Sequence, residues 1–306
     1  MTRRSHDRVT ARAAAKVNLC LTVGPVGEDG YHPLQTVFQA VGLFDEVDVE
    51  RADDLTVEVS GEGADDVPAD RTNLAARAVE VLAAATGNDP AVAVTVRKGI
   101  PVAGGMAGGS ADAAAALVAC DALWGTALGK ADLAQVAAGL GSDVPFALHG
   151  GTALGTGRGD RLTPVLAHGS YRWVLALADG GRSTPTVYAE LDRQRARGPV
   201  GVAGSPDDVL SALRSGDPVL LGRALSNDLQ QPALALRPAL RTLLDAGDEH
   251  GALGSLVSGS GPTCAFLCRD DAAAVALAAV LSGLGVCRTV RRAVGPVPGA
   301  RVMSAT

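Results

Sequence analysis

Aromatic residues and basic charge are both scarce in this sequence. Only 3% of its 306 residues are aromatic, and 27 Lys and Arg residues face 33 Asp and Glu residues, which gives a net charge of −6. This balance argues against a protein held on nucleic acid by its overall charge. The Ala-rich uncharged stretch Ala272 to Cys287 is shorter than the roughly 20 apolar residues of a membrane-spanning helix. We therefore expect neither a nucleic-acid partner nor a membrane.

Cysteine pairs are also missing. The five cysteines are odd in number, lie in apolar surroundings and form no C-x-x-C motif, so they predict buried thiols rather than disulfides or a metal site. They are Cys20, Cys120, Cys264, Cys268 and Cys287. No hydrophobic segment separates the basic residues Arg3, Arg4 and Arg8 from the first apolar run, so we expect no signal peptide and a cytoplasmic protein.

The chain is nevertheless rich in small apolar residues and in glycine. Hydrophobic residues make up 47% and charged residues 20%, which excludes general disorder. The length fits one large or two ordinary domains. The 38 glycines exceed what strands and helices need, so glycine-rich turns are expected to carry function.

The order of predicted elements mixes strands and helices without strict alternation. Apolar runs predict strands at Val9 to Val23 and Leu34 to Leu43, and alternating residues predict antiparallel strands at Val47 to Glu50 and Leu55 to Val59. Later strands are predicted at Ala91 to Arg97, Trp173 to Ala178 and Val286 to Val294, with hairpins at Gly150 to Arg161 and Gly254 to Cys268. Helices are predicted at Asn73 to Thr86, from the segment Pro101 to Asp112 up to about Trp124, and at Lys130 to Leu140, Pro206 to Ser215, Pro218 to Leu225, Pro238 to His250 and Ala272 to Leu284. A surface loop is predicted at Gly198 to Pro206. The pattern favours an α+β fold.

The most informative segment is Pro101 to Asp112, a glycine-rich loop between a strand and an Ala-rich helix. Glycines let backbone N–H groups approach an anion, and the helix start adds unpaired N–H groups and partial positive charge, which suits a polyphosphate. A Walker loop is excluded because Ser110-Ala111 stand where Lys and Ser/Thr are required. Ala103 and Ala107 break the dinucleotide pattern G-x-G-x-x-G. A glycine-rich cap made only for close packing is the structural alternative.

This loop resembles the phosphate loop of the GHMP small-molecule kinases, although Ala111 stands where they often have a second serine. The Gly259-Ser260-Gly261 turn resembles the third motif of that family. The segments Ala15 to Leu19 and Asp29 to Thr36 resemble the members that phosphorylate the 2-hydroxyl of cytidine diphosphate methylerythritol in the non-mevalonate isoprenoid pathway. The match extends from about Val9 to Val294.

The resemblance implies a two-lobed α+β kinase with its active site in the cleft between the lobes. Residues 1–160 would form the ATP-binding lobe and residues 161–306 the substrate lobe. The cosubstrate would be ATP with Mg²⁺. No pair of carboxylates in the sequence indicates which residues would bind the Mg²⁺. The alternatives are a kinase of the same fold for another alcohol, such as homoserine or mevalonate, and a non-catalytic ligand-binding protein. The sequence predicts no particular oligomeric state.

Two residues would carry the chemistry by this resemblance. Asp143 would accept the proton of the substrate hydroxyl, and Lys16 would lie beside it and stabilise charge on the transferring group. Taken alone, an Asp beyond a helix is commonly a loop residue or a cap. Likewise, Lys16 and Asn18, two residues apart, predict only a half-exposed strand.

Binding residues are implied on both sides of the reaction. Tyr31 and Tyr188 would flank the cytosine, His32 would hydrogen-bond its edge, and Asn18 and Thr184 would contact other polar groups of the substrate. The implied ATP contacts along the loop are Pro101, Val102, Ala103, Gly104, Gly105, Met106, Ala107, Gly108, Gly109, Ser110 and Ala111. Asn73 and Lys98 are further candidates near ATP, with helix capping and surface charge as the alternatives, and Asp112 is a candidate cap of its own helix.

Overall fold

The computed structural model describes residues 7–180, 183–198 and 204–306, and every structural statement below concerns these residues. Arg3 and Arg4 lie outside them, as does most of the loop predicted at Gly198 to Pro206. None of the helices described is both long enough and apolar enough to cross a membrane.

Twelve strands are present in the described residues. Their bounds are β1 Arg8–Val23, β2 Leu34–Arg51, β3 Thr56–Gly61, β4 Val92–Lys98, β5 Thr152–Gly157, β6 Arg161–Pro164, β7 Tyr171–Leu177, β8 Ser226–Asn227, β9 Gly254–Val257, β10 Thr263–Cys268, β11 Thr289–Gly295 and β12 Arg301–Ala305.

Ten α-helices accompany these strands in the same ranges. Their bounds are α1 Leu74–Thr86, α2 Gly108–Trp124, α3 Lys130–Ala138, α4 Val144–His149, α5 Thr184–Arg195, α6 Pro206–Ser215, α7 Pro218–Ala224, α8 Gln230–Leu236, α9 Ala239–Glu249 and α10 Asp271–Gly283. The mixture confirms the α+β prediction.

The larger sheet is built mainly from the first half of the chain. Its strand order is β12-β1-β2-β4-β3, with β5 and β6 continuing from β2 and the short β8 pairing with β1. Helix α2 packs on β1 and β2, and its alanines allow a close approach. The late strands β8 and β12 join this sheet, so both halves of the chain build it.

The smaller sheet has the order β11-β7-β10-β9 and is antiparallel throughout. Leu191, Leu243 and Leu277, from α5, α9 and α10, pack against Val174 and Phe266 of this sheet to form a second core cluster. The turn between β9 and β10, Ser258 to Gly261, points from this sheet toward the larger one, and it is called the 258–261 turn below.

Two predictions about the early strands are wrong. The strand at Val9 to Val23 is not half-exposed: nearly all of its side chains are buried, because β1 lies between β2 and β12 and is covered by α2. The segment at Leu55 to Val59 is not antiparallel, because β3 pairs in parallel with β4 through a crossover that contains α1.

Other predicted elements are largely confirmed, with boundary shifts of one to a few residues. The runs Leu34 to Leu43 and Val47 to Glu50 are one continuous strand, β2. Helices α4, α5 and α8 and strands β8 and β12 were not predicted from the sequence. All five cysteines are free thiols, four buried and Cys287 half-buried, as predicted.

Candidate functional site

The glycine loop, residues 101–109, connects β4 to α2. Gly105 has φ of +72°, and Ala103 and Ala107 have φ of +57° and +61°, so three residues adopt the left-handed conformation. Ala107 is the N-cap of α2, which leaves the first turn of the helix facing the loop. A cavity of about 290 Å³ lies against the loop and is also lined by Lys98 and Asp112. This geometry can hold an anion at a helix start.

The loop is pressed against the 258–261 turn. A Cβ atom on Gly105 would lie 2.8 Å from the carbonyl oxygen of Gly261 and 3.0 Å from that of Ser258. Glycine is therefore favoured there by the left-handed backbone and required by the space. The contact brings together two segments more than 150 residues apart in the chain.

Lys16 stands where the loop, the turn and strand β1 meet. Its backbone N–H donates to the carbonyl oxygen of Met106 in the loop, at 3.2 Å. Its ammonium donates to Asn18 Oδ1 at 2.8 Å and lies 4.0 Å from Asp143 Oδ2. Lys16 and Asn18 are buried, so Lys16 is not the surface charge that a lone strand lysine predicts. The predicted proximity of Lys16 and Asp143 is confirmed.

Asp143 is at the N-cap position of α4, but its side chain makes no capping hydrogen bond. Its carboxylate is partly exposed, with 32% of the side chain accessible, so it can reach a substrate. A carboxylate that the helix does not use, next to a buried ammonium, is suited to accepting a proton at the mouth of a cavity.

A second, larger cavity of about 910 Å³ lies next to Asp143, whose neighbour Ser142 lines it. Tyr31, His32, Ser142, Arg158, Thr184 and Tyr188 are among its lining residues. The rings of His32 and Tyr188 pack with centroids 5.2 Å apart. Burial, and then the charge of Asp143, raise the pKa of Tyr188 to about 12, so its hydroxyl remains protonated near neutral pH.

Tyr31 is more exposed than Tyr188, the other tyrosine of this cavity. The guanidinium carbon of Arg158 lies 3.6 Å from the centre of the Tyr31 ring, and Arg158 also pairs with Asp29. This cation–π contact supports an aromatic ring that is 54% exposed. The structure thus brings Tyr31 and Tyr188 to one cavity.

His32 has protein partners at both ring nitrogens. Nδ1 lies 2.8 Å from the carbonyl oxygen of Gly24, and Nε2 lies 3.3 Å from Asp192 Oδ2. An edge-on bond from this ring to a base would compete with one of these partners. That bond stays a prediction. Thr184 Oγ1, also expected to touch substrate, lies 3.0 Å from Ser260 Oγ of the 258–261 turn.

The two additional nucleotide candidates are engaged by the protein. Asn73 caps α1 by accepting from the N–H of Ala75, and its amide donates to the carbonyl oxygen of Pro68. Lys98 is not a surface charge, because its buried ammonium bonds to both Asp45 and Asp112. Asp112 therefore does not cap α2. Contacts of Asn73 and Lys98 with ATP stay predictions.

Three site residues carried no recognisable sequence signal. Arg158 and Asp192 support Tyr31 and His32, as described above. Asn227, the last residue of β8, donates to the carbonyl oxygens of Val257 and Gly259, both at 2.7 Å, and so holds the 258–261 turn against Lys16. Their partners are distant in the chain, and only the fold reveals them.

Comparisons with known proteins agree with this geometry. The family models described as "GHMP kinases N terminal domain" and "GHMP kinases C terminal" match residues 73–151 and 209–285. A Nocardia farcinica protein named 4-diphosphocytidyl-2-C-methyl-D-erythritol kinase is 59% identical over 96% of this chain and 96% of its own. A protein of the same name from Rhodococcus jostii is 58% identical over 97% of this chain and 95% of its own. A crystal structure of 4-(cytidine 5'-diphospho)-2C-methyl-D-erythritol kinase aligns with a TM-score of 0.76 and 32% identity, over 93% of this chain and 98% of that one.

Proposed function

The chain belongs to the GHMP kinase family and, within it, to the 4-diphosphocytidyl-2-C-methyl-D-erythritol kinases, and on that basis we propose how its own residues carry out the reaction. The protein transfers a phosphoryl group from ATP to the 2-hydroxyl of 4-diphosphocytidyl-2-C-methyl-D-erythritol, giving the 2-phosphate and ADP. This is a step of the non-mevalonate isoprenoid pathway. The alternatives of another alcohol acceptor or a non-catalytic protein are not favoured.

One observation carries the proposed mechanism. The Lys16 ammonium and the Asp143 carboxylate are 4.0 Å apart. The Lys16 backbone bonds to Met106 of the glycine loop, and Ser142, the residue before Asp143, lines the cavity of Tyr31 and Tyr188. In our proposal, Asp143 accepts the proton of the 2-hydroxyl as its oxygen attacks the γ-phosphorus of ATP. Lys16 stabilises the negative charge that spreads over the transferring group.

The ATP tail would bind along the glycine loop. The backbone N–H groups of residues 102–110, which include the first turn of α2, would supply donors for its phosphates. Mg²⁺ is part of the proposal as the companion of ATP. No group of three or more His, Cys, Asp or Glu within the described ranges could hold a metal by itself. The chain therefore fits a metal that arrives with the phosphates, and no step assigned to a residue depends on it.

The substrate would lie in the larger cavity with its cytosine between Tyr31 and Tyr188. His32, Asn18 and Thr184 would contact its polar groups. The division into an ATP-binding lobe, residues 1–160, and a substrate lobe, residues 161–306, is also part of the proposal. Tyr31 and His32 would then serve the substrate from the first lobe, which puts the cytosine across the cleft.

Removing the Tyr188 ring is the test of the cytosine pocket. Stacking on an aromatic ring contributes about 1–3 kcal/mol per base, so Tyr188→Leu should raise the KM for the cytidine substrate about 5- to 150-fold. The KM for ATP should stay within a factor of about two, because Tyr188 lines the larger cavity and not the cavity against the glycine loop. Initial rates at varied substrate and saturating ATP give the first KM, and initial rates at varied ATP and saturating substrate give the second.

Tyr188→Phe is the matched control, since it keeps the ring and removes a hydroxyl that stays protonated. We expect its KM to remain close to that of the unmodified protein. If Tyr188→Leu and Tyr188→Phe behave alike and both bind substrate normally, the cytosine does not stack on this ring.

A further inference from the structure

A cluster of three buried ionisable side chains lies under the glycine loop. The Lys98 ammonium, at the end of β4, is 2.5 Å from Asp45 Oδ2 on β2 and 2.6 Å from Asp112 Oδ2 on α2. The three side chains are 0–2% exposed. Burial lowers the pKa of Lys98 most, but Asp112 and Asp45 together raise it above its usual value, so the ammonium stays charged.

Asp45 holds the chain where it enters the loop. Its second oxygen, Oδ1, accepts from the backbone N–H groups of Gly99 and Ile100, at 2.7 and 2.8 Å. These are the two residues immediately before Pro101, the first residue of the loop. One carboxylate on β2 thus fixes both the end of β4 and the direction in which the loop leaves it.

Lys98 and Asp112 hold the chain where it leaves the loop. A Cβ atom on Gly108, the first residue of α2, would lie 3.2 Å from Lys98 Nζ and 3.5 Å from Asp45 Oδ2. Asp112 follows one turn later on the same helix and accepts from the same ammonium. The Lys98 ammonium therefore joins the entry and the exit of the loop at one point.

Such a cluster is not an efficient way to stabilise a fold. Removing charged groups from water is costly, and well-packed apolar side chains of similar volume often stabilise a protein as well or better. What the cluster supplies is fixed geometry, because each hydrogen bond restrains the relative positions of β2, β4 and α2. The place that needs fixed geometry is the loop above it, whose backbone N–H groups would bind the ATP phosphates in the proposed function.

We propose that Asp45 and Asp112 are positioning residues for the glycine loop, acting through Lys98, and that Lys98 serves ATP by holding the loop and not by touching the nucleotide. This inference rests on the proposed binding of ATP at the loop. It revises the expectation for Lys98, whose ammonium is already bonded to two carboxylates. It also assigns a role to Asp45, which is completely buried and cannot reach a ligand.

The test is the steady-state kinetics of Asp45→Asn and Asp112→Asn, together with calorimetric binding of ADP. Each change keeps the shape of the side chain and weakens its bond to Lys98. Because displaced N–H donors would bind the phosphates less well, we expect the KM for ATP and the Kd for ADP to rise about tenfold or more. The KM for the cytidine substrate and kcat should change by less than about threefold.

Asp48→Asn is the matched control. Asp48 lies on the same strand as Asp45, is equally buried and pairs with Arg8 and Arg97 away from the loop. It should lower the thermal midpoint without changing the KM for ATP. If Asp45→Asn loses stability but binds ADP normally, as Asp48→Asn should, the cluster is only structural and the proposal is wrong.

Lys98→Met separates positioning from direct contact. If Lys98 acts by positioning, Lys98→Met and Asp45→Asn should raise the Kd for ADP by similar factors. The double variant should then bind ADP no more weakly than the single variant with the higher Kd. Weakening by Lys98→Met alone makes Lys98 a direct ligand and overturns the proposal. Asp112→Asn and Lys98→Arg provide the same comparison if Asp45→Asn does not fold. Failure of the proposed function would instead show as absent turnover in the unmodified protein.

Discussion

Asp143→Asn should lower kcat by about 10²- to 10⁴-fold, the contribution usual for a positioned general base. Asn has the shape of Asp but cannot take up the proton of the substrate hydroxyl. The KM values for ATP and substrate should change by less than about threefold, since neither cavity loses volume. Stability should also be kept, because the Asp143 side chain makes no capping hydrogen bond to α4.

Measurements of kcat, ADP binding and thermal midpoint on the purified variant check this. Asp217→Asn is a matched control: Asp217 is the N-cap of α7, also just ahead of a proline-containing first turn, and its side chain accepts from the N–H of Val219. It should keep full activity. Near-normal turnover by Asp143→Asn would remove Asp143 as the base.

Lys16→Met is expected to reduce kcat by about 10²- to 10³-fold, the range found when one preorganised donor to a developing charge is removed. Met keeps most of the buried aliphatic stem, so β1 should still pack. The loss should fall on kcat more than on the Kd for ADP, because the ammonium acts on the transferring group. Arg12→Met on the same strand, where Arg12 packs over Phe44, serves as the control and should leave kcat unchanged.

The double variant adds a second check on Lys16. Because Lys16 and Asp143 act on the same phosphoryl transfer, Lys16→Met with Asp143→Asn should be less damaging than the product of the two single losses. A rise in the KM for ATP with kcat intact would show that Lys16 binds the ground state only, contrary to the mechanism.

The glycine loop and the helix after it were predictable from the sequence because their signals are local. Residues 101–109 contain the glycines, and the alanines of α2 follow directly, so strand, loop and helix could be read in order. The pairing of Lys16 with Asp143 was not visible in any local pattern. It came from the resemblance to the kinase family, and the 4.0 Å separation then confirmed it.

What the sequence did not reveal depends on contacts between distant residues. The polar residues Lys16 and Asn18, two positions apart, predicted a solvent-exposed face on β1. In the structure, α2 and the 258–261 turn cover β1 and bury both residues. Lys98 resembled a surface charge because its partner Asp45 lies 53 residues earlier in the chain. Asn227 is a further case, since its two acceptors, Val257 and Gly259, lie 30 and 32 residues later in the chain.

The most direct test of the central claim is the product that the unmodified protein forms from ATP and 4-diphosphocytidyl-2-C-methyl-D-erythritol. Phosphorus and carbon NMR of the reaction mixture, with homoserine and mevalonate as parallel acceptors, identify both the acceptor and the position of the new phosphate. We expect one phosphomonoester, on the 2-hydroxyl of the cytidine substrate, and no turnover with the other two alcohols. Phosphate on another hydroxyl, or comparable turnover with homoserine or mevalonate, would contradict the account.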